Sequence, residues 1–161
     1  MIVRDYTMAD LPEVHAINEA EVPAVGSESV GDLAHIGDES AIALVAVDDV
    51  TGEIGGFCMV LAPGADYDSG NFGWFAERYD SFCYLDRIVV HEDFRRRGLA
   101  GRVYDEVEAR VGRTAPLLAL DVNSDPPNVG SLAFHAARGF EQVGEREFRD
   151  HRVALLVKRL R

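Results

Sequence analysis

Val90-His91-Glu92-Asp93-Phe94-Arg95-Arg96-Arg97-Gly98-Leu99-Ala100-Gly101 joins the strongest strand of the chain to its clearest helix. Upstream, Ser81 to Val90 is a near-continuous apolar run that reads as a strand. Downstream, Leu99, Val103, Val107 and Val111 recur at helical steps, and Gly112 stops the helix. Small residues at 98, 100 and 101 let backbone approach a ligand closely. A helix N-terminus offers unpaired N–H groups and the positive end of a dipole. With three arginines before it, the turn has the geometry and charge of a pyrophosphate site. The same string also suits a solvated basic turn ahead of an ordinary helix.

Working outward, Ile2 to Tyr6 reads as a short strand, and Thr7, Asp10 and Pro12 open a helix carrying Leu11, Val14, Ile17 and Ala20. A second short helix is expected around Val30 to Ile36. Ala41 to Val47 and Ile54 to Leu61 read as strands joined by the turn Asp48 to Glu53. Pro63 to Asp80 is expected to be a long loop excursion. Leu117 to Val122 is a strand, and Asn128 caps a helix that Gly139 ends. Phe140 to Arg146 and Arg149 to Val157 close the chain as strands. The order β-α-α-β-β-β-α-β-α-β-β lacks the regular alternation of a dinucleotide-binding fold, and no P-loop string occurs.

Composition narrows the classes. The 161 residues, 47% hydrophobic, suit one domain with a sizeable core. A net charge of −12 argues against a nucleic-acid partner. The charge is uneven, about −16 over residues 1–94 and +4 over 95–161, which suggests two ligand preferences unless the halves interleave in space. No apolar run suits a membrane span, and MIVRDYTMAD has no apolar leader core, so a cytoplasmic location is expected. Cys58 and Cys83 show no metal-ligand spacing and are expected to be reduced core residues, with no metal.

Arg95, Gly98 and Ala100 fill a Q/R-x-x-G-x-G/A pattern after a strand ending in Val90. Downstream, Asn128, Ser131, Phe134 and His135 lie in a segment that closes in Gly139-Phe140. With both motifs in order, the chain resembles the GNAT superfamily of acyl-CoA-dependent N-acetyltransferases over nearly its whole length. It is most similar to a bacterial branch that carries the central-strand string Tyr84-Leu85-Asp86-Arg87-Ile88-Val89-Val90. The resemblance implies an α/β fold in one domain over residues 1–161. It has a central mixed, mostly antiparallel sheet of about six or seven strands and about four flanking helices.

The resemblance also implies acetyl-CoA as co-substrate. Its pyrophosphate would lie on the N–H groups of Arg95, Arg96, Arg97, Gly98, Leu99, Ala100 and Gly101. Its pantetheine arm would pair with Ile88, Val89 and Val90, and Asn128, Ser131, Phe134 and His135 would line the thioester end. An N–H near Val89 would stabilise the oxyanion. Much of the family has tyrosine, the proposed acid for the departing thiolate, where this chain has His135. His135 is therefore the candidate acid, or else a packing residue beside the cofactor. Asp86 is the candidate base for the acceptor amine, expected on one strand face with Tyr84, Ile88 and Val90, or else paired with an arginine.

Residues 67–84 hold seven of the fourteen aromatics, interleaved with carboxylates. Aromatic faces and acids together suit a cationic amine. Asp68, Phe72, Trp74, Tyr79 and Tyr84 are the candidate acceptor residues; the alternatives are a satellite core or a homodimer contact. The expected function is acetyl transfer to the primary amine of a small molecule or peptide. The rival is a non-catalytic acyl-CoA-binding regulatory module.

Overall fold

The computed structural model describes residues 1–161. Seven strands form one sheet: β1 Ile2–Asp5, β2 Ile42–Val47, β3 Ile54–Leu61, β4 Cys83–Val90, β5 Leu117–Asp125, β6 Glu141–Phe148 and β7 His151–Arg159. Their spatial order is β1-β2-β3-β4-β5-β7-β6, and only β4 and β5 run parallel. Five α-helices cover the sheet: α1 Leu11–Ala20, α2 Val30–Glu39, α3 Gly70–Arg78, α4 Leu99–Val111 and α5 Val129–Ala137. None is long and apolar enough to cross a membrane.

The helix α3 falls inside the segment expected to be loop. Gly70 and Gly73 depress helix propensity, which masks the signal. The helix forms because Ser69 caps it through the Phe72 N–H and because Phe72 and Phe75 pack on the sheet. One core, holding Leu99, Val103, Tyr104 and Val107, lies between the sheet and α4. On the other face, α1 and α2 bury Leu11, Val14, Leu33 and Ile36. Beside them, α3 buries Phe72 and Phe75 against Phe82, Tyr84 and Leu155. Cys58 and Cys83 are buried free thiols within the first core.

Two irregularities in the sheet make the site. The first is a bulge in β4. Its register with β3 runs Met59↔Arg87 and then Val60↔Leu85, so Asp86 is the extra residue. An extra residue reverses the alternation beyond it. Ile88 and Val90 therefore join Leu85 toward α4, while Tyr84 faces α3. The expected common face of Tyr84, Asp86, Ile88 and Val90 does not exist.

The second irregularity is a split. β4 and β5 pair only at Cys83↔Leu118 and Tyr84↔Ala119. Beyond that, β4 stays with β3 as far as Gly56↔Val90, and β5 follows β7 as far as Asp125↔Arg152. The two parallel strands thus diverge into an open V, and the inner backbone edge of β4 has no neighbouring strand.

Candidate active site

The V opens into a cavity of about 830 Å³. Its walls come from β4 and β5, the α1–α2 loop, one side of α2, the start of α3, Tyr104 of α4, Ser131 and His135 of α5, and the β6–β7 turn. Six carboxylates line it: Glu21, Glu28, Asp32, Asp68, Asp86 and Asp121. The acidic half of the sequence thus supplies most of the cavity charge, and the basic half supplies the turn beside it.

That turn is rich in unpaired donors. Arg96 and Gly98 both have positive φ, at 61° and 70°. Left-handed residues curl the backbone so that successive N–H groups share one concave side. None of the N–H groups of residues 96–101 has an acceptor within the protein. The side chain of Leu99 is buried in the core, so only its backbone faces the turn. Arg96 and Arg97 are exposed, and the Arg97 guanidinium lies over the Phe94 ring. Arg95 is engaged elsewhere: its Nε donates to the Val90 carbonyl at 3.2 Å, and its Nη2 meets Glu21 at 2.5 Å.

Asp86 is not a free carboxylate. Oδ2 accepts from Arg87 Nε at 2.8 Å, and Oδ1 accepts from the Tyr67 hydroxyl at 2.7 Å. Both side chains of the ion pair are about 5% exposed. Arg87 also holds Glu28, Asn18 and the Gly26 carbonyl, so the pair anchors the α1–α2 loop across the cavity. The candidate base from sequence is therefore a charge-neutralised structural group.

A second buried carboxylate of the cavity is Asp121, in the middle of β5. It accepts from the Tyr84 hydroxyl and faces the cavity. Burial and then the Asp86 charge push its carboxyl up to about 6, against the hydrogen bonds of Tyr84 and Asn71 and the charge of Arg146. A carboxylate so tuned is mostly ionised at neutral pH yet far more basic than an exposed one. The sequence reading passed over Asp121. The available signal was an acid flanked by Leu120 and Val122 within an apolar strand, since buried acids need a reason.

His135 is buried, with both ring nitrogens engaged. Nδ1–H donates to the Ser131 carbonyl at 2.7 Å, and Nε2 accepts from the Tyr104 hydroxyl at 2.5 Å. Burial, helped by the Arg138 charge, lowers its pKa and keeps it neutral. Its one proton is committed to a backbone carbonyl, which counts against the acid role expected from sequence. Tyr104, which the sequence reading did not single out, is itself buried and held by desolvation in its neutral form. Asn128 caps α5 by accepting from the Ser131 N–H, and Phe134 packs on Tyr104.

The aromatic candidates divide. Asp68 and Tyr84 reach the cavity, whereas Phe72, Trp74 and Tyr79 do not. Phe72 is core, Tyr79 stacks on Phe75, and Trp74 lies edge-on to Phe75 under the Arg78 guanidinium. These three belong to the satellite core around α3: Phe72 points to the sheet, Trp74 packs toward Gly144 of β6, and Tyr79 follows the helix in extended conformation. Trp74→Ala is accordingly expected to lower stability by about 2 kcal/mol, or roughly 4–8 °C in a thermal melt. Acceptor KM should be unchanged, and a KM rise without a Tm change would return Trp74 to the site.

The sequence profile described as the Acetyltransferase (GNAT) family matches residues 10–140. No curated protein matches the chain in sequence. Among solved structures, the chain superposes on the ribosomal-protein-S18-alanine N-acetyltransferase of Escherichia coli at TM-score 0.75. Identity is 16%, over 99% of this chain and 93% of that one. Ard1 from Thermoplasma volcanium gives TM-score 0.78 at 15% identity, over 98% and 96% of the chains. The ribosomal-protein-alanine N-acetyltransferase of Brucella melitensis gives 0.71 at 22% identity, over 99% of both.

Proposed function

The chain belongs to the GNAT family of acetyltransferases, and we propose that it transfers the acetyl group of acetyl-CoA directly to a cationic primary amine, with Asp121 as the base. The observation that carries this reading is the placement of the Asp121 carboxylate inside the V between β4 and β5. The unpaired N–H groups of residues 96–101 lie at the start of the helix that follows β4.

The residues fit the co-substrate. A pyrophosphate takes N–H donors and positive charge, which the 96–101 turn and its arginines provide. An extended amide-bearing arm takes an unpartnered strand edge, which Ile88–Val90 provides on the open side of the V. When bound, acetyl-CoA supplies the acetyl thioester. A β4 backbone N–H near Val89 is the candidate oxyanion donor.

The chain's own residues do the rest. The acidic wall draws in a protonated amine, whose pKa near ~10.4 keeps it charged in solution. The ammonium has no lone pair, so it must lose one proton before it attacks, and Asp121 takes that proton. The nitrogen becomes far more acidic as it bonds to the acyl carbon, and its second proton leaves to solvent or with the departing thiolate as the thiol. The thiolate, with an intrinsic pKa near ~8.5, leaves without a dedicated side-chain acid. His135 and Tyr104 pin α5 to α4 beside the reacting groups. Two structural relatives are N-acetyltransferases named for an alanine of a ribosomal protein. Peptide N-termini therefore belong beside polyamines, amino sugars and amino acids in the acceptor panel.

The test is CoA release from acetyl-CoA across that panel. Turnover with cationic amines, and little with neutral or anionic ones, supports the reading. CoA binding without turnover on any acceptor would leave an acyl-CoA-binding module instead.

Arg95 lies across the Val90 carbonyl and is tied to Glu21, so it must release both when the arm pairs there. Glu21→Gln weakens that tie. CoA is expected to bind the variant about three- to fivefold more tightly, the worth of one part-exposed ion pair. Isothermal titration reads this directly, and weaker binding would show that Glu21 helps to hold the cofactor.

A further inference from the structure

We infer that Arg149 holds a carboxylate of the acceptor, so that the substrate is an amino acid whose ammonium end lies toward Asp121. The inference rests on the acetyl-transfer reading above, and the experiment below separates the two.

Phe148 and His151 face each other across β6 and β7, so Arg149 and Asp150 alone make the turn between the strands. Arg149 has a φ of 58°. The first place of a two-residue hairpin loop at positive φ is ordinarily glycine, because a side chain there crowds the backbone. Two non-glycine residues of the chain adopt positive φ, and both are arginines. Arg96 belongs to the donor-rich turn before α4, and Arg149 lines the cavity. Strain kept at a place where glycine would relieve it points to a use for the side chain.

That side chain is positioned and unspent. Its guanidinium lies over the Phe148 ring, 5.2 Å from the centroid. Phe148 packs in turn against the core under α3, which holds the cation on the α3 side of the cavity. Three arginines line the cavity. Arg87 is committed to Asp86, Glu28 and Asn18, and Arg95 to Glu21 and the Val90 carbonyl. The acids beside Arg149 are also taken, Glu145 and Glu147 by Arg152 and Asp150 by His151. Arg149 is the cavity arginine without an oxygen partner.

A free guanidinium among six carboxylates selects by position. Over most of the wall an anionic group meets like charge. At the β6–β7 turn it meets a fork of N–H donors that matches a carboxylate. The register separates this turn from Asp121 along β5: Arg152 stands opposite Asp125, and Leu155 stands opposite Asp121. The carboxylate therefore lies at the open end of the V and the ammonium deeper within it. An amino acid's ammonium is the cationic amine of the reaction, and its carboxylate fixes which way round it binds.

The experiment compares matched pairs of acceptors, each an amino acid and its carboxamide: glycine, β-alanine and 4-aminobutanoate with their amides. CoA release at saturating acetyl-CoA gives kcat/KM for each. The best-spaced acid should owe about tenfold in kcat/KM to Arg149, the worth of one charge-assisted contact at a part-open site. Its acid-to-amide ratio should therefore fall about tenfold in Arg149→Gln and by less in Arg149→Lys. The two amines of a pair differ in basicity, but that difference is the same in every variant, so the change in ratio reads Arg149. A residue that only shapes the turn would lower both acceptors alike and leave the ratio unmoved. Arg149→Gly removes the cation at a φ that glycine suits, so it should fold and lose the same preference.

A ratio that falls in Arg149→Gln and Arg149→Gly supports the inference. An unmoved ratio in a folded, active variant overturns it and leaves acetyl transfer standing. Wild-type turnover confined to amines without a carboxylate does the same. Wild-type turnover of no amine at all overturns the acetyl-transfer reading, and the substrate assignment falls with it.

Discussion

Asp121→Asn is expected to lower kcat/KM by about 10²- to 10³-fold while leaving the CoA dissociation constant unchanged, the usual range for loss of a general base. The substitution keeps the side-chain volume and an oxygen for the Tyr84 hydroxyl, but not the basicity. In the wild type, only the ionised carboxylate accepts a proton. Its midpoint is pushed up to about 6, so kcat/KM should rise with pH through that value and then level off. The variant should lose that acid limb.

Stability should move the other way. A carboxyl whose folded pKa lies above its unfolded value favours the folded state when protonated. The folded state loses that advantage as pH rises from about 4 to about 6. Over that window, wild type should lose stability relative to Asp121→Asn, as read by thermal melts at a series of pH values. Loss of less than tenfold in kcat/KM, with the acid limb intact, would remove Asp121 from the chemistry.

Gly98→Val should raise the CoA dissociation constant by about ten- to a hundredfold, equivalent to roughly 1.5–3 kcal/mol. The residue has a φ of 70°, where a β-branched side chain is strained. No atom lies within 4 Å of a Cβ built there, so the free protein has space for the side chain and should still fold. The damage falls on the curl that aligns the N–H groups of residues 96–101. Gly98→Ala should do less, because alanine enters the left-handed region at lower cost. Titration of CoA into each variant, with circular dichroism as the check on folding, decides it. Unchanged affinity in a folded Gly98→Val would mean that the cofactor phosphates lie elsewhere.

Much of the fold was legible because its signals are local. The alternation and apolar runs of the strands, the Asn128 cap and the steps of Leu99, Val103, Val107 and Val111 all depend on near neighbours. The same holds for the phosphate turn, whose arginines and small residues are contiguous. The helix α3 was hidden because two glycines weaken its local preference, and packing of Phe72 and Phe75 decides it. The paired motifs likewise brought the family within reach before any coordinates, since each motif is short and their separation is fixed by the βα order.

The site chemistry was less legible, and particular residues show why. Asp86 looks like a base in the sequence, but Arg87, Tyr67 and a bulge spend its charge on anchoring a loop. His135 looks like an acid, but its proton belongs to Ser131 and its lone pair to Tyr104, 31 residues away in the chain. Asp121 looks like one polar residue in an apolar strand, yet Tyr84, 37 positions earlier, meets it inside the cavity. From the sequence alone came the strands, four of the five helices, the basic glycine-containing turn and the family. Tertiary structure alone decided which carboxylates are paired and which face the cavity with a raised proton affinity. Proton affinity depends on burial and on charges a few ångströms away, and those neighbours come from distant parts of the chain.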